Sequence, residues 1–228
     1  MNAKICVRLA LKMETKMKLE AVKDRVDGIP YMSFVQAKEM TTLILENKLQ
    51  SILELGFCHG VSTCYMAGAL DEIGGGSIIT IDLLRARSLE PNIETLLSDL
   101  GLSRFVTPFF EPTSYIWRLM KMMEADPTPR FDLCYIDGAH NWATTGFAFF
   151  LVDRLLKPGG WMIFDDLNWT YESSPALRNT EMVKKMPADE RNTPQVQKVY
   201  DLLVLPHPSY EKFSIKGPWG YAQKKMWD

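Results

Sequence analysis

The stretch Ser51-Ile-Leu-Glu-Leu-Gly-Phe-Cys-His-Gly-Val-Ser-Thr63 decides the fold. Ser51 to Leu55 is a short apolar run that stops at Gly56, the pattern of a parallel strand buried on both faces. Ser62 to Leu70 continues as a helix, with Ser62-Thr63 placed to cap its start. Between them, Gly56 and Gly60 let the backbone turn sharply and approach a ligand with no side chain in the way. Strand, glycine loop and helix in that order open a βα unit.

Outward from this unit the alternation repeats. Ser77 to Ile81 is a second strand ending at Asp82, and Ile93 to Leu100 a helix stopped by Gly101. Arg104 to Phe110 is a third strand, followed by a helix from Tyr115 to Ala125. Phe131 to Ile136 is a fourth strand, Thr144 to Leu156 a helix, and Trp161 to Phe164 a fifth strand ending at Asp165-Asp166. Such a series calls for an α/β, Rossmann-like, doubly wound sheet with right-handed crossovers. Thr193 to Leu205 reads as a further helix, and Tyr210 to Ile215 with Gly220 to Lys224 as an antiparallel C-terminal hairpin, for seven strands in all.

Upstream, Phe34 to Asn47 has helical spacing, with Ala37, Met40, Leu43, Ile44 and the following Leu49 on one stripe. Met13 to Asp27 is charged and reads as a solvated helix, so residues 1–30 are expected to be an N-terminal helical extension and 31–228 one domain. The polar segment from Leu167 to Arg191 is too long for a plain connector, and a substrate loop or lid over 167–193 is the expectation.

With 228 residues, 46% of them hydrophobic, the chain can build a core without disulfides or metal staples. Cys6, Cys58, Cys64 and Cys134 show no paired spacing and suit a reducing, cytoplasmic setting. A formal charge of −2 gives no basic footprint, which excludes nucleic acid as the expected partner. Arg8 and Lys12 interrupt the N-terminus before a signal peptide could form, and no run approaches the roughly 20 apolar residues of a membrane span. A homo-oligomer is left open.

Ligands of doubly wound sheets bind outside the carboxyl ends of the strands. Acids recur there: Glu54, Asp82, Asp137 and the pair Asp165-Asp166. A dinucleotide loop wants glycine where Cys58 stands, so that a pyrophosphate can lie against the backbone. A nucleoside ligand without a pyrophosphate fits better. Asp82 follows Gly60 at roughly the 20-residue spacing from which an acid reaches ribose hydroxyls. If the fourth and fifth strands are neighbours, their ends lie about 4.8 Å apart and their carboxylates can share one hard divalent cation. Regular alternation would still aim Asp165 and Asp166 to opposite sides. His140, three residues beyond Asp137, is a natural proton acceptor near neutral pH. His59 is read as shaping the glycine loop, and Trp142, Trp169 and Tyr171 as flanking the site.

Ile52 to Thr63 resembles the first motif of class I S-adenosylmethionine-dependent methyltransferases. Tyr135-Ile-Asp-Gly-Ala-His140, Leu156-Lys-Pro-Gly-Gly160 and Phe164-Asp-Asp166 are similar to that superfamily's later motifs. More narrowly they resemble the branch of macrolide-sugar O-methyltransferases and cephalosporin-hydroxylase-like proteins. The resemblance implies S-adenosylmethionine bound by Glu54, Gly56, Gly60, Ser62, Asp82, Ser114 and Asp137. It also implies Mg²⁺ held by Asp137, Asp165 and Asp166, with His140 as general base. Asp165 stands where that branch usually has glutamate, and Cys58 where a smaller residue is common.

The reaction implied is methyl transfer to a hydroxyl of a sugar or other small polyol. A hydroxylase-like or NAD(P)-dependent enzyme on the same fold, or an inactive binding module, are the alternatives.

Overall fold

The structure, a computed structural model, describes residues 18–226. Cys6, the segment read for a signal peptide and the expected helix start at Met13 lie outside the described residues. The chain divides into two compact units, one ending at Tyr115 and the other beginning at Ile116.

The first unit opens with helix α1 over residues 18–26, then α2 (Phe34–Asn47) and the unit β1 (Ser51–Leu55), α3 (Val61–Ile73), β2 (Ser77–Leu83). Helix α4 (Ile93–Asp99) leads to β3 (Val106–Glu111). Strand β2 pairs in parallel with β1 on one side and β3 on the other. Helix α1 is not the solvated helix expected: Val22 and Val26 are buried, and Arg25 holds Asp99 at 2.6 Å. Helix α2 starts at a reciprocal cap, in which Ser33 Oγ accepts from the Gln36 amide and Gln36 Oε1 accepts from the Ser33 amide. Strand β3 begins two residues later than expected because Ser103–Phe105 tighten into a 3₁₀ turn.

Helix α3 is buried from Val61 to Leu70, which marks it as a core helix rather than an amphipathic one. Its N-cap is Gly60, at φ 94°, and neither Ser62 nor Thr63 caps it as the sequence suggested. A Cβ at Gly60 would stand 2.6 Å from Ile93 Cγ1, so α4 rests directly on the glycine.

Helix α5 (Tyr115–Glu124) begins on the last residue of the first unit, and the second unit goes on with β4 (Phe131–Ile136), α6 (Trp142–Leu155) and β5 (Leu156–Phe164). Helix α6 starts two residues early because Asn141 caps it, accepting from the Thr144 amide at 2.8 Å. Residues 167–193 are not a plain loop. They hold turns and two short helices, α7 (Glu181–Lys185) and α8 (Ala188–Asn192), and bury Val183. Helix α9 (Gln195–Val199) runs into a π-turn, Tyr200–Val204. Strands β6 (Tyr210–Lys216) and β7 (Trp219–Lys224) form the expected hairpin, β7 pairing antiparallel with β5. Exposed β6 carries Lys212 and Lys216 and a bulge between Glu211 and Ser214, devices that discourage strand pairing with another chain.

The seven strands follow the order β3-β2-β1-β4-β5-β7-β6, the mostly parallel, doubly wound α/β class expected. No helix among the described residues is long and apolar enough to cross a membrane.

Gly60→Ala combines a left-handed backbone with the Ile93 clash and is expected to cost about 2–4 kcal/mol. Gly101→Ala, at φ 68° but facing open space, should cost about 1 kcal/mol. Urea unfolding of both variants checks the difference; equal losses would contradict the packing account.

Candidate active site

In the first unit the chemistry converges on the β1–α3 loop. Glu54 is fully buried and its two carboxylate oxygens accept three hydroxyls. Ser62 Oγ donates to Oε1 at 2.5 Å, and Thr63 Oγ1 and Thr80 Oγ1 donate to Oε2 at 2.5 and 2.6 Å. Burial pushes the Glu54 carboxyl up to about 7 from an ordinary 4.5, against the pull of the hydroxyls and with a smaller push from Asp82.

Asp82 sits half-buried just past the core of β2. Its Oδ2 accepts the Phe57 and Cys58 amides at 2.9 and 2.7 Å, and its Oδ1 accepts the Leu83 amide at 2.6 Å. The loop is therefore strung onto Asp82 by its own backbone. Gly56 turns at φ 92°, and Cys58 holds φ 47°, a conformation that favours glycine. His59 Nδ1 lies 2.7 Å from Pro91 O and the ring stacks on Tyr31, which fits a loop-shaping role.

In the second unit the ends of β4 and β5 supply the other group. Asp137, His140 and Asp166 each place one ligand atom within 4.8 Å of the others. His140 Nε2 lies 3.5 Å from Asp137 Oδ1 and 3.4 Å from Asp166 Oδ2. That nitrogen is itself buried and has no hydrogen-bond partner. Trp169 covers the imidazole at 5.2 Å between ring centroids, and Tyr171 packs edge-on against Trp169 at 4.9 Å. Trp142, at the start of α6, is exposed.

Backbone strain concentrates at these two places. Of the seven non-glycine residues at positive φ among the described residues, four are Cys58, Ala139, His140 and Asp166. Each such residue costs on the order of 1–3 kcal/mol and persists only where its surroundings over-determine it.

The structure brings Asp137, His140 and Asp166 together and leaves Asp165 out. Strand β5 ends at Phe164, and the left-handed backbone of Asp166, at φ 57°, turns its side chain away from that of Asp165. Asp165 turns inward, 4% exposed, and its carboxylate accepts the Tyr135 hydroxyl and the Asp166 amide. Burial raises its carboxyl above the usual range, against the Tyr135 hydrogen bond. Glu54 and Ser62 are likewise turned to each other rather than outward. Ser114 sits half-buried in the turn before α5.

Thr63, Thr80 and Tyr135 are the hydroxyl partners of these buried acids that sequence reasoning missed. Thr80 carried a signal: it is the polar residue inside an apolar strand, and it lies in register opposite Glu54.

Glu54 ties pH to stability in a defined direction. Its folded value lies above its unfolded one, so its contribution is complete below about pH 4.5 and is lost as pH rises through about 7. Over that window it amounts to a decline on the order of 3 kcal/mol. Glu54→Gln, which cannot ionise, should remove the decline; unfolding free energies measured across that pH range check it.

The methyltransferase-domain family matches residues 53–167, half of the chain, from β1 to just past β5. Among curated proteins none matches the chain in sequence. Three solved structures are similar to it in fold. One is the O-methyltransferase TomG of Streptomyces achromogenes, involved in tomaymycin synthesis and solved with SAM (S-adenosylmethionine). It is 17% identical, with TM-score 0.65 over 91% of this chain and 89% of that one. An O-methyltransferase of Bacillus cereus solved with SAH (S-adenosylhomocysteine) is 18% identical, with TM-score 0.64 over 92% and 90%. An SAH-bound methyltransferase of Podospora anserina is 15% identical, with TM-score 0.62 over 100% and 97%. With the family's domain spanning the glycine loop, Asp82 and the Asp137–His140–Asp166 group, the chain belongs to the methyltransferase family.

Proposed function

We propose that this methyltransferase takes its methyl group from S-adenosylmethionine and passes it to a hydroxyl oxygen of a small sugar or polyol-like acceptor. A divalent cation held by Asp137, His140 and Asp166 assists. The observation that carries the cation is the buried His140 Nε2, which makes no hydrogen bond yet faces two carboxylate oxygens at 3.4–3.5 Å. Two carboxylates and an imidazole accept a hard divalent ion, and the oxygen-rich set suits Mg²⁺ or Mn²⁺.

In this reading cofactor recognition belongs to the first unit. Gly56 and the loop strung on Asp82 give the nucleoside a backbone surface free of side chains. Asp82 accepts three amides, and a carboxylate has about four acceptor positions, so capacity remains for a ribose hydroxyl. Glu54 acts beneath the loop, fixing the start of α3 through Ser62 and Thr63. Cys58 keeps a side chain where a pyrophosphate would need the bare backbone, which weighs against an NAD(P)-dependent enzyme. The SAM and SAH complexes of the similar structures support the same cofactor.

Acceptor activation belongs to the second unit. When bound, the cation supplies Lewis acidity that lowers the pKa of an acceptor hydroxyl. The hydroxyl oxygen then forms the new bond to the methyl carbon as the carbon–sulfur bond breaks, leaving a neutral thioether, and the hydroxyl proton passes to solvent water. In this reading His140 is a nitrogen ligand and not the general base expected from the sequence. Trp169 and Tyr171 wall the same side, Trp169 lying against the imidazole.

S-adenosylhomocysteine should bind and raise the melting temperature. Asp82→Ala should weaken that binding by roughly 10–100-fold, since hydrogen bonds to a charged acceptor are lost. Binding of NAD(P)H and not of S-adenosylhomocysteine would contradict the cofactor reading.

Methyl transfer should stop in EDTA and return with Mg²⁺. His140→Ala should lower Mn²⁺ affinity at least about tenfold while leaving S-adenosylhomocysteine binding intact. Unchanged Mn²⁺ affinity with turnover reduced about 10²–10⁴-fold would instead restore His140 as a base.

A further inference from the structure

We propose that Asp165 is a positioning residue for Asp166, held in place by Tyr135, and does not itself touch the cation. The inference rests on the reading of Asp166 as a cation ligand. Tyr135 lies on β4, fully buried, with Trp219 packed edge-on against it at 5.7 Å. Its hydroxyl donates to Asp165 Oδ2, which leaves Oδ1 to accept the Asp166 amide at 2.6 Å. The Asp165 amide donates to Ile136 O at 3.0 Å, so the residue is fixed to β4 at both its backbone and its side chain.

Asp166 is thereby held from both ends. Its amide is taken by Asp165 and its carbonyl accepts the Trp169 amide at 2.9 Å. Leu167, buried, is tied to Pro218 O at 2.9 Å. Between these anchors Asp166 adopts φ 57°, a costly conformation for a non-glycine residue. That conformation sends its Oδ2 to within 3.4 Å of His140 Nε2. A backbone free to relax from it would carry the carboxylate elsewhere. The Tyr135–Asp165 pair is the part of the second unit that holds a ligand's backbone, and such outer contacts are worth about 10–100-fold in metal affinity.

The test measures Mn²⁺ binding to the full chain by electron paramagnetic resonance, together with hydrogen exchange of the Asp166 amide in metal-free protein. Asparagine keeps an oxygen for the Asp166 amide and offers its NH₂ to the tyrosine oxygen. Asp165→Asn should therefore hold the Mn²⁺ Kd within about threefold of wild type and keep the amide protected. Asp165→Ala should weaken Mn²⁺ binding about 10–100-fold and expose the amide, and Tyr135→Phe should move both readouts in the same direction. Asp166→Asn, which removes a ligand charge, marks the loss expected of a direct ligand. A loss in Asp165→Asn as large as in Asp166→Asn would make Asp165 a ligand and overturn the proposal. So would an Asp165→Ala variant with wild-type Kd and a protected Asp166 amide. If Asp165→Ala does not fold, the Asn and Tyr135→Phe variants decide. If wild type binds no Mn²⁺, the cation reading fails by itself, and the exchange of the Asp166 amide still decides whether Asp165 holds that backbone.

Discussion

A carboxylate buried without charge partners has to be satisfied by neutral donors, and Glu54 is satisfied by three. Its oxygens tie strand β1 to the first turn of α3 through Ser62 and Thr63, and to β2 through Thr80. Two strands and a helix are thus pinned at one point beneath the glycine loop. The loop above has little freedom left: Asp82 takes two of its amides, Gly60 is pressed against Ile93, and His59 is fixed at Pro91. A half-satisfied carboxylate in this position would be worse than an apolar residue, because an unpaired buried acceptor keeps its full desolvation cost.

The second unit solves a related problem with opposite means. Asp137 and Asp166 remain partly open to solvent, while the imidazole nitrogen between them is buried and makes no hydrogen bond. Left-handed backbone at Ala139, His140 and Asp166 is retained where relaxing it would separate these three side chains. Strain of this kind is characteristic of sites whose geometry is set before the ligand arrives.

Much of this was legible in the sequence. The limits of α2, β1 and β4 follow from apolar spacing, and the terminal hairpin from the two strand-like runs that end the chain. What failed did so for local reasons. Ser62 and Thr63 have the chemistry of caps, but Gly60 already occupies the cap position, so their hydroxyls turn to Glu54. Asp165 and Asp166 are identical in type, and a left-handed turn at Asp166, which residue type does not announce, separates the inward residue from the outward one. Helix α1 reads as solvated because its charges outnumber its valines, although burial needs only one face. The polar segment after Leu167 gave no periodicity because its helices are each only five residues long.

The proposed cation site of this methyltransferase consists of Asp137, His140 and Asp166, without Asp165. Anomalous diffraction from crystals soaked in Mn²⁺ tests it most directly. The predicted result is one strong anomalous peak coordinated by Asp137, His140 Nε2 and Asp166, with the Asp165 carboxylate still on Tyr135. No peak at these residues, or a peak coordinated by Asp165, would contradict it.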